Sequence, residues 1–232
     1  MFRKLNALLW LRVQVLISNS TLLATLLMPF GTAVLYNEFS NKNGQLSLFL
    51  LSASLTMVLS MGSGYMVSIM MAEDKEKRNL KSLILSGVTA IEYTFSMLVL
   101  PILIMLVAMI VLPIYLKVDV SGYLFAYAIY LLLATICIIF LNLLIGAVSD
   151  TQSKAQVYSI FPMLIVSILP MIASQNDTIQ KVLDYSFIGP IVNLLNKKGG
   201  EISFSNIGML LAWVLVLGIA NLIVLKNSYK AR

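Results

Sequence analysis

The sequence has no histidine and a single cysteine, Cys137, in 232 residues. Without histidine there is no His-based zinc site, no Ser-His-Asp triad and no imidazole proton relay. A lone cysteine excludes an intrachain disulfide framework and a thiolate metal cluster. Charge is scarce as well. Asp, Glu, Lys and Arg make up 11% of the chain, under half of the roughly 25% of an average soluble domain. None of the twelve glycines sits in a Gly-x-x-x-x-Gly-Lys-Ser/Thr run, so the chain has no loop of that kind to cradle a nucleotide phosphate. What remains is apolar, at 59% of the residues.

Several apolar runs exceed twenty residues. That is longer than the core helices of soluble proteins need and long enough to cross a ~30 Å hydrocarbon layer. Six spans are predicted, over 18–36, 46–71, 90–116, 122–148, 157–173 and 204–225. Pro29 and Gly31 are expected to break or bend the first, and Pro162 and Pro170 to kink the fifth. At 1.5 Å per residue the third reaches about 40 Å, so it should tilt or project. No repeat, low-complexity tract or Gly/Ser/Pro linker divides the chain. The expectation is an all-α integral membrane protein in one domain, 1–232.

Two amphipathic segments flank these spans. Phe2, Leu5, Leu8, Leu9, Val13 and Leu16 recur at spacings of three and four, with Arg3, Lys4, Asn6 and Gln14 mostly elsewhere. Residues 1–17 therefore read as a helix lying in the membrane interface. Arg12 and the lack of a cleavage site argue against a secretory signal. Segment 174–203 is too long for a turn. Its apolar residues lie in two halves around Gly189-Pro190, which fits either a helical hairpin dipping into the membrane or a segment lying on its surface.

The basic residues set the expected orientation. With the first residues inside, eleven of the sixteen Lys and Arg fall on the cytoplasmic side: Arg3, Lys4, Arg12, Lys75, Lys77, Arg78, Lys81, Lys154, Lys226, Lys230 and Arg232. Lys42, Lys117, Lys181, Lys197 and Lys198 fall outside. Both termini are thus expected in the cytoplasm, with 226–232 as a tail. The net charge of +6 is accounted for by this topology, and no nucleic-acid partner is expected.

The loop after the second span, 72–87, carries the densest polar pattern. Asp74 suits a helix N-cap, and Glu73 and Glu76 suit the positive end of its dipole. Glu73 with Lys77 and Asp74 with Arg78 are i,i+4 pairs in the favourable order. Leu80, Leu83 and Ile84 form a short apolar face, and Gly87 is a helix stop. A short helix parallel to the membrane results, which could enter a groove on a partner; a solvated basic loop is the other reading. Glu92, near the start of the third span, reads as a gate element, an anchor for that helix, or an ordinary interfacial carboxylate. In the second span Ser52, Thr56, Ser60, Gly64 and Ser68 follow one another every four residues. Such a ridge permits close helix packing and could also line a polar path. Asn142 and Cys137 read as packing residues of the fourth span.

Asp74, Glu76, Leu80, Leu83, Ile84 and Glu92 resemble the acidic-basic run, apolar face and following glutamate of the type-2 ATP-binding-cassette (ABC) permeases. The interfacial helix, six spans and long outer segment extend the resemblance over essentially the whole chain. Gly87 stands where that family often has proline, and Ser96-Met97 where it often has Gly-Lys. The resemblance implies that 74–86, with Asp74, Lys75, Glu76, Lys77, Arg78, Leu80, Lys81, Leu83 and Ile84, is a coupling helix docking on a separate ABC ATPase. ATP and magnesium would be bound there, with no cofactor in this chain. It also implies a second permease subunit, identical or related, re-entrant outer helices and a cell-membrane location. The function expected is ATP-driven export of an amphipathic or apolar cargo, such as a toxin, bacteriocin or antimicrobial peptide, and then a lipid, drug or lipid-linked glycan. A secondary transporter and a non-transporting sensor or scaffold are the alternatives. No charge is expected at mid-span, which disfavours the former.

Overall fold

The computed structural model describes residues 2–40, 44, 46–173, 176–196 and 203–230, and the regular structure among them is entirely helical. An apolar chain in hydrocarbon must satisfy its backbone hydrogen bonds within each segment, so long helices are the available solution. Helix α1 (Phe2–Ser18) is followed by the first span, α2 (Ser20–Ser40). Asn19 divides them, its Oδ1 accepting the N–H of Thr21 at 3.1 Å. Pro29 and Gly31 lie inside α2 without interrupting it.

The second span is one rod of 30 residues, Ser47–Glu76. It consists of α3 (Ser47–Met57), a π-helical segment (Val58–Tyr65) and α4 (Met66–Glu76). The short α5 (Asn79–Leu85) leads to the third span, α6 (Ala90–Leu116). A 3₁₀ turn (Ser121–Tyr123) opens the fourth, α7 (Leu124–Val148), and α8 (Gln152–Ala173) is the fifth. Helices α9 (Asp177–Asp184) and α10 (Gly189–Asn196) precede α11 (Phe204–Lys230), which contains the sixth. All six predicted spans are present. The second continues to Glu76 instead of ending at 71, and the fifth begins at Gln152 instead of 157.

The second span is the central helix. Of its most apolar stretch 89% is buried, against 17% for the first and sixth spans. Its π-helical segment touches α2, α6, α7 and α8, while α11 packs on α7. The four-residue ridge does not form one seam. Ser60 and Ser68 hydrogen-bond Ser167 and Ser159 of the antiparallel α8, at 2.8 and 2.6 Å. Gly64 instead faces α7, where a β-carbon would lie 2.6 Å from Asn142 Nδ2 and 2.7 Å from Ile138 Cγ1. Thr56 bonds back to the carbonyls of Ser52 and Ala53, and all five ridge residues are buried.

Residues 176–196 form a stapled helical hairpin. Asn176 caps α9 by accepting from the N–H of Thr178 and Ile179, at 2.9 and 3.4 Å. Gln180 and Asn193 both donate to Asp184 Oδ1, tying α9 to α10. Helix α10 is buried at Pro190, Ile191, Val192, Leu194 and Leu195, and packs on α3 and α7. It therefore inserts among the spans. Lys42, Lys197, Lys198 and Arg232 lie outside the described residues.

Candidate functional site at the end of the second span

The acidic-basic run begins inside the bundle. Asp74 does not cap a new helix: it lies in the last turns of α4, only 1% exposed. Nor does it pair with Arg78. Its Oδ2 is 2.5 Å from Nη1 of Arg12 on α1 and accepts the Tyr93 hydroxyl of α6 at 3.0 Å. The Arg12 guanidinium, itself 1% exposed, stands 5.0 Å from the centre of the Tyr93 ring, within cation–π range. Arg12 Nε and Nη2 and Asp74 Oδ1 are buried with no hydrogen-bond partner among the described residues.

The next two residues reach other helices. Lys75 Nζ donates to the carbonyls of Ala147 and Ser149, at 2.7 and 2.5 Å, where α7 ends. A cation is favoured there by the negative end of the helix dipole. Glu76 accepts the N–H of Gln152, the first residue of α8, at 2.7 Å. A carboxylate is favoured at that positive end for the same reason. Adjacent side chains of opposite charge thus complement the facing ends of the fourth and fifth spans across a short turn.

Beyond Glu76 the polar run reaches the surface. Lys77 pairs back to Glu73 at 2.6 Å, the i,i+4 pair read from the sequence. That hydrogen bond and the Glu73 charge raise the Lys77 pKa above its ordinary value. Arg78 adopts a left-handed conformation, φ 58°, where the rod stops and α5 starts. Gly87, φ 78°, ends α5, and the Val88 N–H returns to the Leu83 carbonyl at 3.0 Å. This is the glycine-terminated helix end that the sequence suggested. Lys4 Nζ of α1 donates to the Gly87 carbonyl at 2.9 Å. The helix after Asp74 is accordingly α5 alone, seven residues long. Leu83 is partly buried; the side chains of Leu80, Lys81 and Ile84 lie outside the described set.

Glu92 occupies the third position of α6. It exchanges hydrogen bonds with Thr89 in a reciprocal capping box, accepting the Thr89 N–H at 2.9 Å while Thr89 Oγ1 accepts its own N–H at 3.2 Å. Its observed work is to begin the third span.

Sequence reasoning passed over Arg12 and Tyr93. A signal existed for Arg12. Leu8, Arg12 and Leu16 follow at intervals of four and are all buried, so the arginine lies on the apolar ridge of α1 and needs a buried carboxylate. Leu85 at the end of α5 and Ile91 at the start of α6, each 80% exposed, were also passed over. Among the described residues no three His, Cys, Asp or Glu side chains come together as a metal site would require.

No curated protein matches the chain. The profile of the family described as ABC-2 family transporter protein matches residues 11–223.

Proposed function

The chain belongs to the ABC-2 transporter family, a multi-pass membrane component, and from that membership we propose that it is the permease subunit of an ATP-driven exporter. The observation that carries the reading is the family match over 11–223. ATP is bound and hydrolysed, with magnesium, on a separate ABC ATPase. The docking surface is α5 with its flanks. Lys77, Arg78 and Leu85 are exposed there, and Leu83 turns toward the bundle's apolar residues. Asp74, Lys75 and Glu76 act from behind this surface.

A second permease subunit, identical or related, completes the path. The cargo is amphipathic or apolar, best a peptide of the toxin, bacteriocin or antimicrobial kind, and next a lipid, drug or lipid-linked glycan. The buried second span supports this class, since it offers hydroxyls and methionines but no charge between Ser47 and Ala72. Methionine adapts its shape to varied apolar surfaces. The protein resides in the cell membrane with α5 in the cytoplasm.

The test is co-purification in mild detergent with a candidate ATPase, followed by ATP turnover. Arg78→Glu and Leu85→Asp alter exposed side chains, so they should leave folding intact while weakening the complex at least tenfold. Retention of the ATPase at unchanged affinity in both variants would remove α5 as the docking surface.

A further inference from the structure

Asp74, Lys75 and Glu76 are consecutive, yet each engages a different part of the bundle. Asp74 holds Arg12 of α1 and Tyr93 of α6. Lys75 holds the end of α7, and Glu76 the start of α8. The segment Lys77–Arg78 immediately follows and leads into α5. We infer that these three residues are positioning residues that divide a displacement of α5 between two groups of spans, Asp74 passing it to α1 and α6, and Lys75 with Glu76 passing it to α7 and α8. The inference rests on the permease reading above, which supplies the force on α5.

The two branches differ in physical character. The Asp74 branch is a buried ion pair, strengthened by the low dielectric of its surroundings and costly to break from one side. Its members come from three helices, α1, α4 and α6, so the pair ties them together directly. The Lys75–Glu76 branch is partly exposed and binds backbone groups at helix ends. Removing it should loosen the turn between the fourth and fifth spans without stranding a buried charge. The branches are therefore separable by substitution.

The experiment uses the complex with the ATPase, reconstituted in nanodiscs, with Cys137→Ala and paired reporters at Ser82→Cys on α5 and Ser153→Cys on α8. Both chosen positions are exposed. Distances from each reporter to a label on the exposed Phe39→Cys of α2, outside both α8 and the α9 packed on it, measured in separate preparations by double electron–electron resonance, are compared with and without ATP plus vanadate. In the parent both reporters should shift on nucleotide addition. In Lys75→Met/Glu76→Ala the shift at 82 should persist, and the shift at 153 should fall by half or more. Glu76→Gln keeps an acceptor for the Gln152 N–H and should restore part of the motion beside Lys75. An equal shift at 153 in parent and double variant, with the shift at 82 intact, overturns the inference alone. Failure of any ATPase to bind the parent overturns the permease reading and this inference with it. Arg12→Met/Asp74→Leu, which replaces the ion pair by apolar side chains, checks the other branch: the shift at 153 should survive, and its loss would show that the branches are not separate.

Discussion

At Asp74 the cost of one side chain depends on what its partner is left with. Asp74→Ala removes the counter-charge from Arg12, which stays buried against Tyr93. Breaking a buried pair from one side costs about 3–5 kcal/mol, whereas apolar replacement of both partners is often neutral. Thermal unfolding in detergent should show a large loss for Asp74→Ala and a small change for Arg12→Met/Asp74→Leu; equal losses would mean that packing, not charge, dominates the site. Asp119 illustrates the opposite setting. Its exposed carboxylate accepts the Ser121 N–H at 2.9 Å, and that bond lowers its pKa. A lowered folded pKa gives stability that is present above the unfolded value and is lost as pH falls through the folded one. The acid arm below about pH 4 should therefore be shallower in Asp119→Asn than in the parent, with the two curves parallel from pH 6 to 8. A parent curve that is no steeper would show that the Ser121 bond has no net effect.

For whole elements, contact geometry matters more than composition. The π-helical segment Val58–Tyr65 has one extra residue per turn, so the four-residue ridge rotates along it and meets α8 at Ser60 and Ser68 but α7 at Gly64. Gly64→Ala should drive the π-helical segment and α7 apart and cost about 1–3 kcal/mol through overpacking. Gly208→Ala, whose β-carbon would meet nothing within 4 Å, serves as the control; equal melting shifts would refute the close crossing. The six spans were legible because twenty apolar residues in succession have few other uses. Gly189-Pro190 left a hairpin and a surface-lying segment both open, which the burial of α10 against α3 and α7 decides, while Gly87 made the α5 stop legible. What was not legible is the continuation of α4 through Glu73–Glu76. The charged run 73–78 reads as the capped start of a separate helix or as a solvated loop, whereas α4 persists because Asp74, Lys75 and Glu76 find partners 62, 72 and 76 residues away. One-dimensional spacing cannot supply such partners. It could have raised the question, since Arg12 stands between Leu8 and Leu16 on a ridge that buries.

Across the molecule, burial falls outward from the second span, and the first, fifth and sixth spans present bulky apolar side chains such as Leu27, Phe161 and Leu215 to their surroundings. A chain so arranged must lie in lipid or against another apolar subunit, because patches of that extent are not kept in water. Its sidedness then decides whether α5 can meet a cytoplasmic ATPase at all. Among the described residues of the connecting segments, Lys75, Lys77, Arg78 and Lys154 gather at one end, against Lys117 and Lys181, beside Asp119 and Asp177, at the other. The positive-inside bias leads to the expectation that the first group faces the cytoplasm. On the Cys137→Ala background, cysteines at Ser82 and Ser153 should react with a membrane-impermeant maleimide only after the cell is opened, while those at Gly122 and Thr178 should react in intact cells. The reverse pattern would put α5 outside, away from any ATP, and the docking surface and the divided linkage behind it would both lose their source of force. The expected pattern brings the buried Arg12–Asp74 pair and the Lys75–Glu76 clasp to the side where nucleotide energy is available, so that the charged residues ending the second span stand between that energy and the bundle.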